Sequence, residues 1–363
     1  MKIRYITFGS HFQNSQASNA AYNRMSLTCS GLNLHGINAE ICEIYSVLFG
    51  KSLIHYFGHF ICIFKTISIL LSLKKDDVVI VYSENPYSFL FKFLHKRARL
   101  FAELHEYPAY LIHKSISLKA VRLSKSFEKN LIYFEGLIAC SYELKRYYQN
   151  YTNRKCKYLV MPLLIDFKKF TCNSFEKEDY IGYCGDFGNN KDGVPALIEA
   201  FSIISNKHNN YKLILAGGTN DTSAINFISS LIHRFKLEDR VVLTGVLNHN
   251  QMPEFLGKAS VLALARPDNL QAKGGFPSKV AEYLASGRPV VLTKVGELDK
   301  YLTDNVNVFF SDSDKSEDFA DCLDRVLSNY PTAIKVGESG REIAESFDFY
   351  RQAEIINRFI QRE

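Results

Sequence analysis

The chain has 363 residues, 47% of them hydrophobic and 23% charged, with a formal net charge of +6. That length suits two domains, and the balance of residues excludes a disordered chain. The positive excess is too mild to be the footprint of a nucleic-acid binder.

Met1 leads straight into a predicted strand over 2–8, with no secretory signal before it. A helix over 18–34 and a strand over 38–44 come next. Residues 53–73 are rich in Leu, Ile and Phe but contain His55, His59 and Lys65. Those polar groups argue against a spanning helix, which needs about 20 apolar residues. The pattern instead predicts an amphipathic helix over 58–74, packed on a sheet or partly dipped into a bilayer surface. Further strands are expected over 78–82, 100–104 and 136–139, with helices over 87–96, 120–131 and 143–150. Strand–helix alternation of this kind builds a parallel, doubly wound sheet. Between 92 and 129 there are nine Lys or Arg against three Glu. Such a face suits an anionic membrane or a phosphate-bearing acceptor, and equally an ordinary solvated helix face.

The polar run 171–179 marks the domain boundary, after the apolar segment 160–167. This gives domains of 1–170 and 171–346, with a last helix over 347–363 expected to pack back on the first domain. The second half repeats the α/β pattern. Its strands are expected over 180–184, 212–216, 241–244, 261–265 and 289–293, and its helices over 194–205, 222–235, 251–256 and 278–285. The eight cysteines form no Cys-x-x-Cys pair and no Cys/His cluster at metal spacing, so reduced thiols in a cytoplasmic protein are expected.

Residues 266–296, RPDNLQAKGGFPSKVAEYLASGRPVVLTKVG, carry the most specific signal. Pro277 fits a first helical turn, Gly287 fits just past a helix end, and 289–293 is a short apolar strand. The N–H groups of Ser278 and Lys279 should point at whatever fills the glycine-rich loop, in a field that favours anions. Glu282 lies one turn on, on the same side. A phosphate seat with a carboxylate beside it suits a nucleotide, because the carboxylate can accept from ribose hydroxyls.

This segment resembles the signature of the retaining glycosyltransferases of family four, which have the GT-B fold: Glu-x7-Glu, a small-residue helix, then Gly-x-Pro-Val-Val. Glu282 matches the second glutamate, and EYLASGRPVV matches the helix and the Gly-x-Pro-Val-Val after it. The first glutamate is replaced by Gly274. Asn23-Arg24 and Leu32-x-x-x-Gly36 fit the family's first helix, and Glu103-Leu104-His105-Glu106-Tyr107-Pro108 fits the strand end that carries an active-site histidine. Ser141-x-x-Leu144 fits the turn after the last strand of that domain. Pro162, Ile165, Asp166 and Phe170 fit the hinge, where Asp166 is given a structural role. Gly185 to Gly193, with Lys191, fits the start of the nucleotide domain.

The resemblance implies two Rossmann-like doubly wound parallel-sheet domains facing across a cleft. It implies a UDP- or GDP-linked sugar donor, held without a metal or other cofactor, and transfer with retention. The acceptor is expected to be a lipid-linked or growing glycan in surface polysaccharide biosynthesis, reached by a cytoplasmic protein with peripheral membrane contact.

Lys191 is then the phosphate lysine, and its alternative is an ordinary surface lysine. The family usually has an arginine shortly after the first strand of this domain, and here Gly185 and Asp186 occupy that neighbourhood, so a compensating cation is expected. Arg266 is well placed for it, with a salt bridge to Asp268 as its alternative. Lys279 is the next candidate, and Lys273 is weaker. Glu282 is expected to bind ribose, with an exposed helix carboxylate as its alternative. Gly274, Gly275, Phe276 and Ser278 line the donor loop, Gly217 permits close approach to the nucleotide or merely makes a turn, and Val246 lines the base pocket. The resemblance has His105 face the donor sugar from the other domain, with a structural histidine as its alternative; Glu106 orients it or touches the acceptor, and the loop after Gly9 meets the acceptor. Two other readings stand beside this one. One is a catalytically impaired nucleotide- or glycan-binding partner, raised by Gly274. The other is a nucleotide-sugar epimerase of the same architecture.

Overall fold

The computed structural model describes residues 1–8, 20–44, 64, 66–69, 71–84, 87–113, 116–170, 175–248 and 250–361. The chain divides into two compact units, one of residues 1–164 with 349–363 and one of residues 165–348. The break falls between Leu164 and Ile165, ahead of the polar run. Ile165 is tied by a parallel bridge to Asp348, and the Phe167 N–H donates to the Asp348 carboxylate at 3.2 Å.

The first unit holds a six-stranded sheet. Its strands are β1 (Ile3–Phe8), β2 (Ala39–Ile44), β3 (Val78–Tyr82), β4 (Arg99–Leu104), β5 (Gly136–Ala139) and β6 (Lys157–Val160). The order is β2-β1-β3-β4-β5-β6, every neighbouring pair is parallel, and the direction of winding reverses between β1 and β3. Val78 to Val81 are all buried, which fits a central strand covered on both faces. The last helix, Phe349–Gln361, places Ala353, Ile356 and Ile360 in one core with Met25, Cys29 and Leu32 of the helix Ala20–Leu34. Gly31 allows that approach, since a Cβ there would lie 2.6 Å from the Ala353 Cβ. His35 stacks on Tyr350 at 4.1 Å beside the same contact.

The second unit holds the other sheet: β7 (Tyr180–Asp186), β8 (Lys212–Gly218), β9 (Val241–Gly245), β10 (Val261–Leu264), β11 (Val290–Thr293) and β12 (Phe309–Ser311). Its order is β12-β11-β10-β7-β8-β9, again wholly parallel. This is the doubly wound order whose switch point lies between β7 and β10, and ligands in such sheets bind beyond the strands' carboxyl ends there.

The expected strands and helices are largely present, with differences at the weak ends. β6 and β12 were not expected, because each is an edge strand of four residues or fewer, too short for a period to register. The expected helix over 87–96 is a 3-10 turn, Ser88–Leu90, running into one helical turn, Phe91–Leu94. Of the expected helix over 58–74, residues before 64 lie outside the described set. Those described from 64 to 72 are helical, with Thr66 buried and Phe64, Ile67 and Leu71 exposed.

Candidate functional site

The candidate donor-side residues of the second unit gather around its switch point. β7 runs out through Gly185 and Asp186 into a 3-10 turn, Gly188–Asn190, and then Lys191, Asp192 and Gly193 lead into the helix Val194–Ile204. Gly193 has φ +72° and packs on the end of β10, where a Cβ would collide with the Ala265 carbonyl oxygen. Only glycine fits that combination of handedness and contact. Gly217, with φ +132°, is pressed in the same way against the Gly185 carbonyl. The close approach at Gly217 is thus one between neighbouring strands, whereas the expected one was to a nucleotide. Val246 follows β9 with 65% exposure, and its Cγ2 lies 3.9 Å from where a Gly218 Cβ would be.

Lys279 is the residue that joins these pieces. It opens the helix Lys279–Ala285, and its side chain lies over Gly185, so that a Cβ at Gly185 would strike its methylene chain. Its Nζ sits 2.6 Å from Asp192 Oδ2, and the Tyr183 hydroxyl donates to the same oxygen at 3.1 Å. Asp192 is buried. Burial alone pushes its carboxyl up, but Lys279, with Arg266 and Lys191 behind it, holds it below the usual carboxylate range. A cation thus stands where β7 ends. Asp186, the neighbour at that point, turns its carboxylate onto the Gly188 N–H at 2.8 Å. Arg266, the expected compensating cation, is also buried and donates from Nη2 to the Gln271 carbonyl at 3.5 Å. Asp268 pairs with Lys273 instead, at 3.5 Å.

Glu282 is half-buried on the helix that Lys279 begins. Its carboxylate makes no hydrogen bond or ion pair among the described residues. Burial raises its pKa, and Lys279 and Lys169 pull only part of the way back. A desolvated acceptor with unused lone pairs is costly to maintain, so its position calls for donors that arrive with a ligand.

The loop before the helix is less uniform. Ser278 is exposed, occupies the N-cap and makes no side-chain capping bond. Gly274 and Gly275 are buried at the end of a short helix, Leu270–Gly274, and Phe276 packs edge-on to Tyr301 at 5.4 Å. A cavity of about 500 Å³ opens on the other flank of Gly193, lined by Phe187, Pro195, Phe227 and Lys315 among others. Lys191, Lys279 and Glu282 are not part of its lining.

In the first unit, His105 follows β4, close to the reversal point of that sheet. Its Nε2 is 3.2 Å from Glu103 Oε1, and its ring stacks on Tyr82 at 5.0 Å. Glu103 is 0% exposed and also accepts from Arg24 Nε at 2.6 Å and from the Tyr5 hydroxyl at 2.9 Å. Burial would raise the Glu103 carboxyl, but Arg24 and His105 bring it down to about 2. Arg24 also donates to the Met161 and Pro162 carbonyls at 2.9 and 3.4 Å. Glu106 is exposed, and its carbonyl accepts from the Tyr148 hydroxyl at 3.0 Å. Gly9 lies outside the described residues.

Sequence reasoning did not single out Asp192, and Glu103 and Arg24 entered only as pattern matches with no role of their own. Their partners are 79 and 87 positions away, and only the strand order brings them together. The signal available was the placement of Glu103 at the apolar end of a strand, where an ionised residue needs partners.

Residues 165–343 match the family described as Glycosyl transferases group 1, which accounts for most of the second unit. A Methanocaldococcus jannaschii protein described as "Uncharacterized glycosyltransferase MJ1178" is 25% identical over 157 residues. That alignment covers 43% of this chain and 41% of the relative, so the chain spans less than half of that relative's length. Among solved structures, sucrose-phosphate synthase from Thermosynechococcus elongatus aligns with a TM-score of 0.79 at 13% identity, over 100% of this chain and 99% of the other. Anabaena Alr3699/HepE in complex with UDP aligns with a TM-score of 0.73 at 15% identity, over the whole of both chains. The fold is GT-B: two α/β units, each with a parallel six-stranded sheet.

Proposed function

We propose that the chain is a retaining glycosyltransferase that takes a sugar from a UDP- or GDP-linked donor without a metal ion. The observation that carries this reading is the grouping at the second sheet's switch point. Lys279 is held over Gly185, and Glu282 stands beside it with unused acceptor capacity. Lys279, Lys191 and Arg266 offer positive charge to a departing diphosphate, and Glu282 accepts from ribose hydroxyls. The family match over residues 165–343 and the UDP held by a structural relative support the same donor class.

In the transfer, the bond from the sugar's anomeric carbon to the phosphate oxygen breaks, and a bond to the acceptor oxygen forms on the same face. The acceptor's proton leaves with the nucleoside diphosphate, whose oxygen serves as the base. The acceptor is a lipid-linked or growing surface glycan, reached at the cytoplasmic face of a membrane. A peripheral contact there is supported by exposed Phe89 and Phe93, with Lys92 over the Phe93 ring at 4.9 Å. Among the described residues no helix is long and apolar enough to cross a membrane.

Gly274 favours one other reading, a partner that binds nucleotide without turnover, because a buried glycine there can offer no carboxylate to the donor sugar. Incubation with a panel of UDP- and GDP-sugars and glycan-lipid acceptors, with and without EDTA, decides between them. Acceptor-dependent nucleoside diphosphate release that survives EDTA is the expected result. Binding without release across the panel selects the partner instead.

A further inference from the structure

The cluster around Glu103 does more than close a buried ion pair. Glu103 is ionised, and an ionised carboxylate only accepts hydrogen bonds. The proton shared with His105 therefore sits on Nε2. Burial and the nearby Arg24 both disfavour the charged imidazole, and together they outweigh Glu103 and Glu106. A neutral ring with its proton on Nε2 carries a lone pair on Nδ1. The ring's one hydrogen bond among the described residues is at Nε2, which leaves Nδ1 without one, and the side chain is 21% exposed. The Tyr82 ring below and the Glu103 carboxylate at one edge hold the imidazole in this orientation. Glu103 is itself fixed by Tyr5 from β1 and by Arg24 from the helix Ala20–Leu34, so three elements converge on one tautomer.

We infer that Glu103 is a positioning residue, which locks His105 with its proton on Nε2 and turns Nδ1 into an acceptor for a sugar hydroxyl. This rests on the glycosyltransferase reading for the identity of the ligand, but not for the tautomer. An acceptor nitrogen selects a substrate that carries an O–H at that point and disfavours its deoxy or O-methyl analogue.

Long-range 1H–15N spectra of the full-length, 15N-histidine-labelled protein test the tautomer directly, with the His105 signals assigned from His105→Asn. A neutral ring protonated at Nε2 from pH 6 to 8 is expected. A proton on Nδ1, or a mixture of tautomers, overturns the inference. Transfer assays test its use. Asn offers an acceptor near the Nδ1 position, while Gln reaches toward Nε2. His105→Asn should therefore keep at least tenfold more kcat than His105→Gln, and the reverse order contradicts the assignment.

Glu103→Gln should lower kcat about tenfold while leaving intact the Tm shift induced by whichever of UDP or GDP binds wild type. Wild-type kcat in a folded Glu103→Gln would make Glu103 structural only. If Glu103→Gln does not fold, the His105 pair carries the test alone. The expected tautomer in a protein that transfers no sugar would sink the glycosyltransferase reading and leave the tautomer standing.

Discussion

Two glutamates, one in each unit, show how differently a buried carboxylate can be used. Glu103 accepts from an arginine, a histidine and a tyrosine, and the bonds bring its carboxyl down to about 2. Glu282 sits half-buried with no such partners among the described residues, and burial pushes its carboxyl up. A satisfied carboxylate stabilises its unit and orients a neighbour. An unsatisfied one costs stability that only a ligand can return. The same distinction separates the cations: Lys279 is kept in place by Asp192, and that pair is poised beside the unsatisfied glutamate.

Breaking the satisfied member should have the largest effect. Glu103→Ala leaves the mostly covered Arg24 without its carboxylate, and removing one partner of a buried pair costs about 3–5 kcal/mol. Urea unfolding followed with a probe in the first unit should show that loss. A change under about 1 kcal/mol would mean that water replaces the pair. Gly193→Ala comes next. It combines a positive φ with a collision against Ala265, and should cost about 3 kcal/mol together with nucleotide binding. Retained binding in a stable variant would separate the turn from the site.

Acid titration sharpens the contrast through opposite signs. The Glu103 carboxyl lies below its ordinary 4.5 in the fold, so its contribution is complete above 4.5 and is lost as pH falls toward 2. Glu282 has a raised value, so it subtracts from stability above that value and stops doing so below 4.5. Tm measured from pH 6 down to 3 should therefore fall less in Glu103→Gln than in wild type, if that variant folds. A parallel decline in both would place the acid sensitivity elsewhere. The smallest effect is on Glu282→Ala without ligand, which should hold its stability within about 1 kcal/mol of wild type or gain slightly.

The sequence made the scaffold legible wherever a period was strong. The central strands, the helix Val194–Ile204 and the segment from Pro277 to Thr293 all stand close to where their patterns put them. The donor-side candidates Lys191, Gly217, Arg266, Lys279 and Glu282 fall along one sheet edge, because a doubly wound sheet gathers its strand-end loops there. What stayed hidden was pairing across the chain. That Asp192 would hold Lys279, and that Arg24 would meet Glu103, depends on strand order rather than on local spacing. The pattern points to Arg266 as the compensating cation near Gly185 and Asp186, yet Lys279 is the side chain that lies across Gly185.

Calorimetric titration of UDP and GDP into wild type and Glu282→Ala, in EDTA, tests the central claim most directly. One nucleotide should bind wild type, with stabilisation of about 2.7 kcal/mol at a hundredfold excess over Kd, and the variant should lose that binding. Equal affinity in the two proteins, or no binding of either nucleotide to wild type, would contradict it.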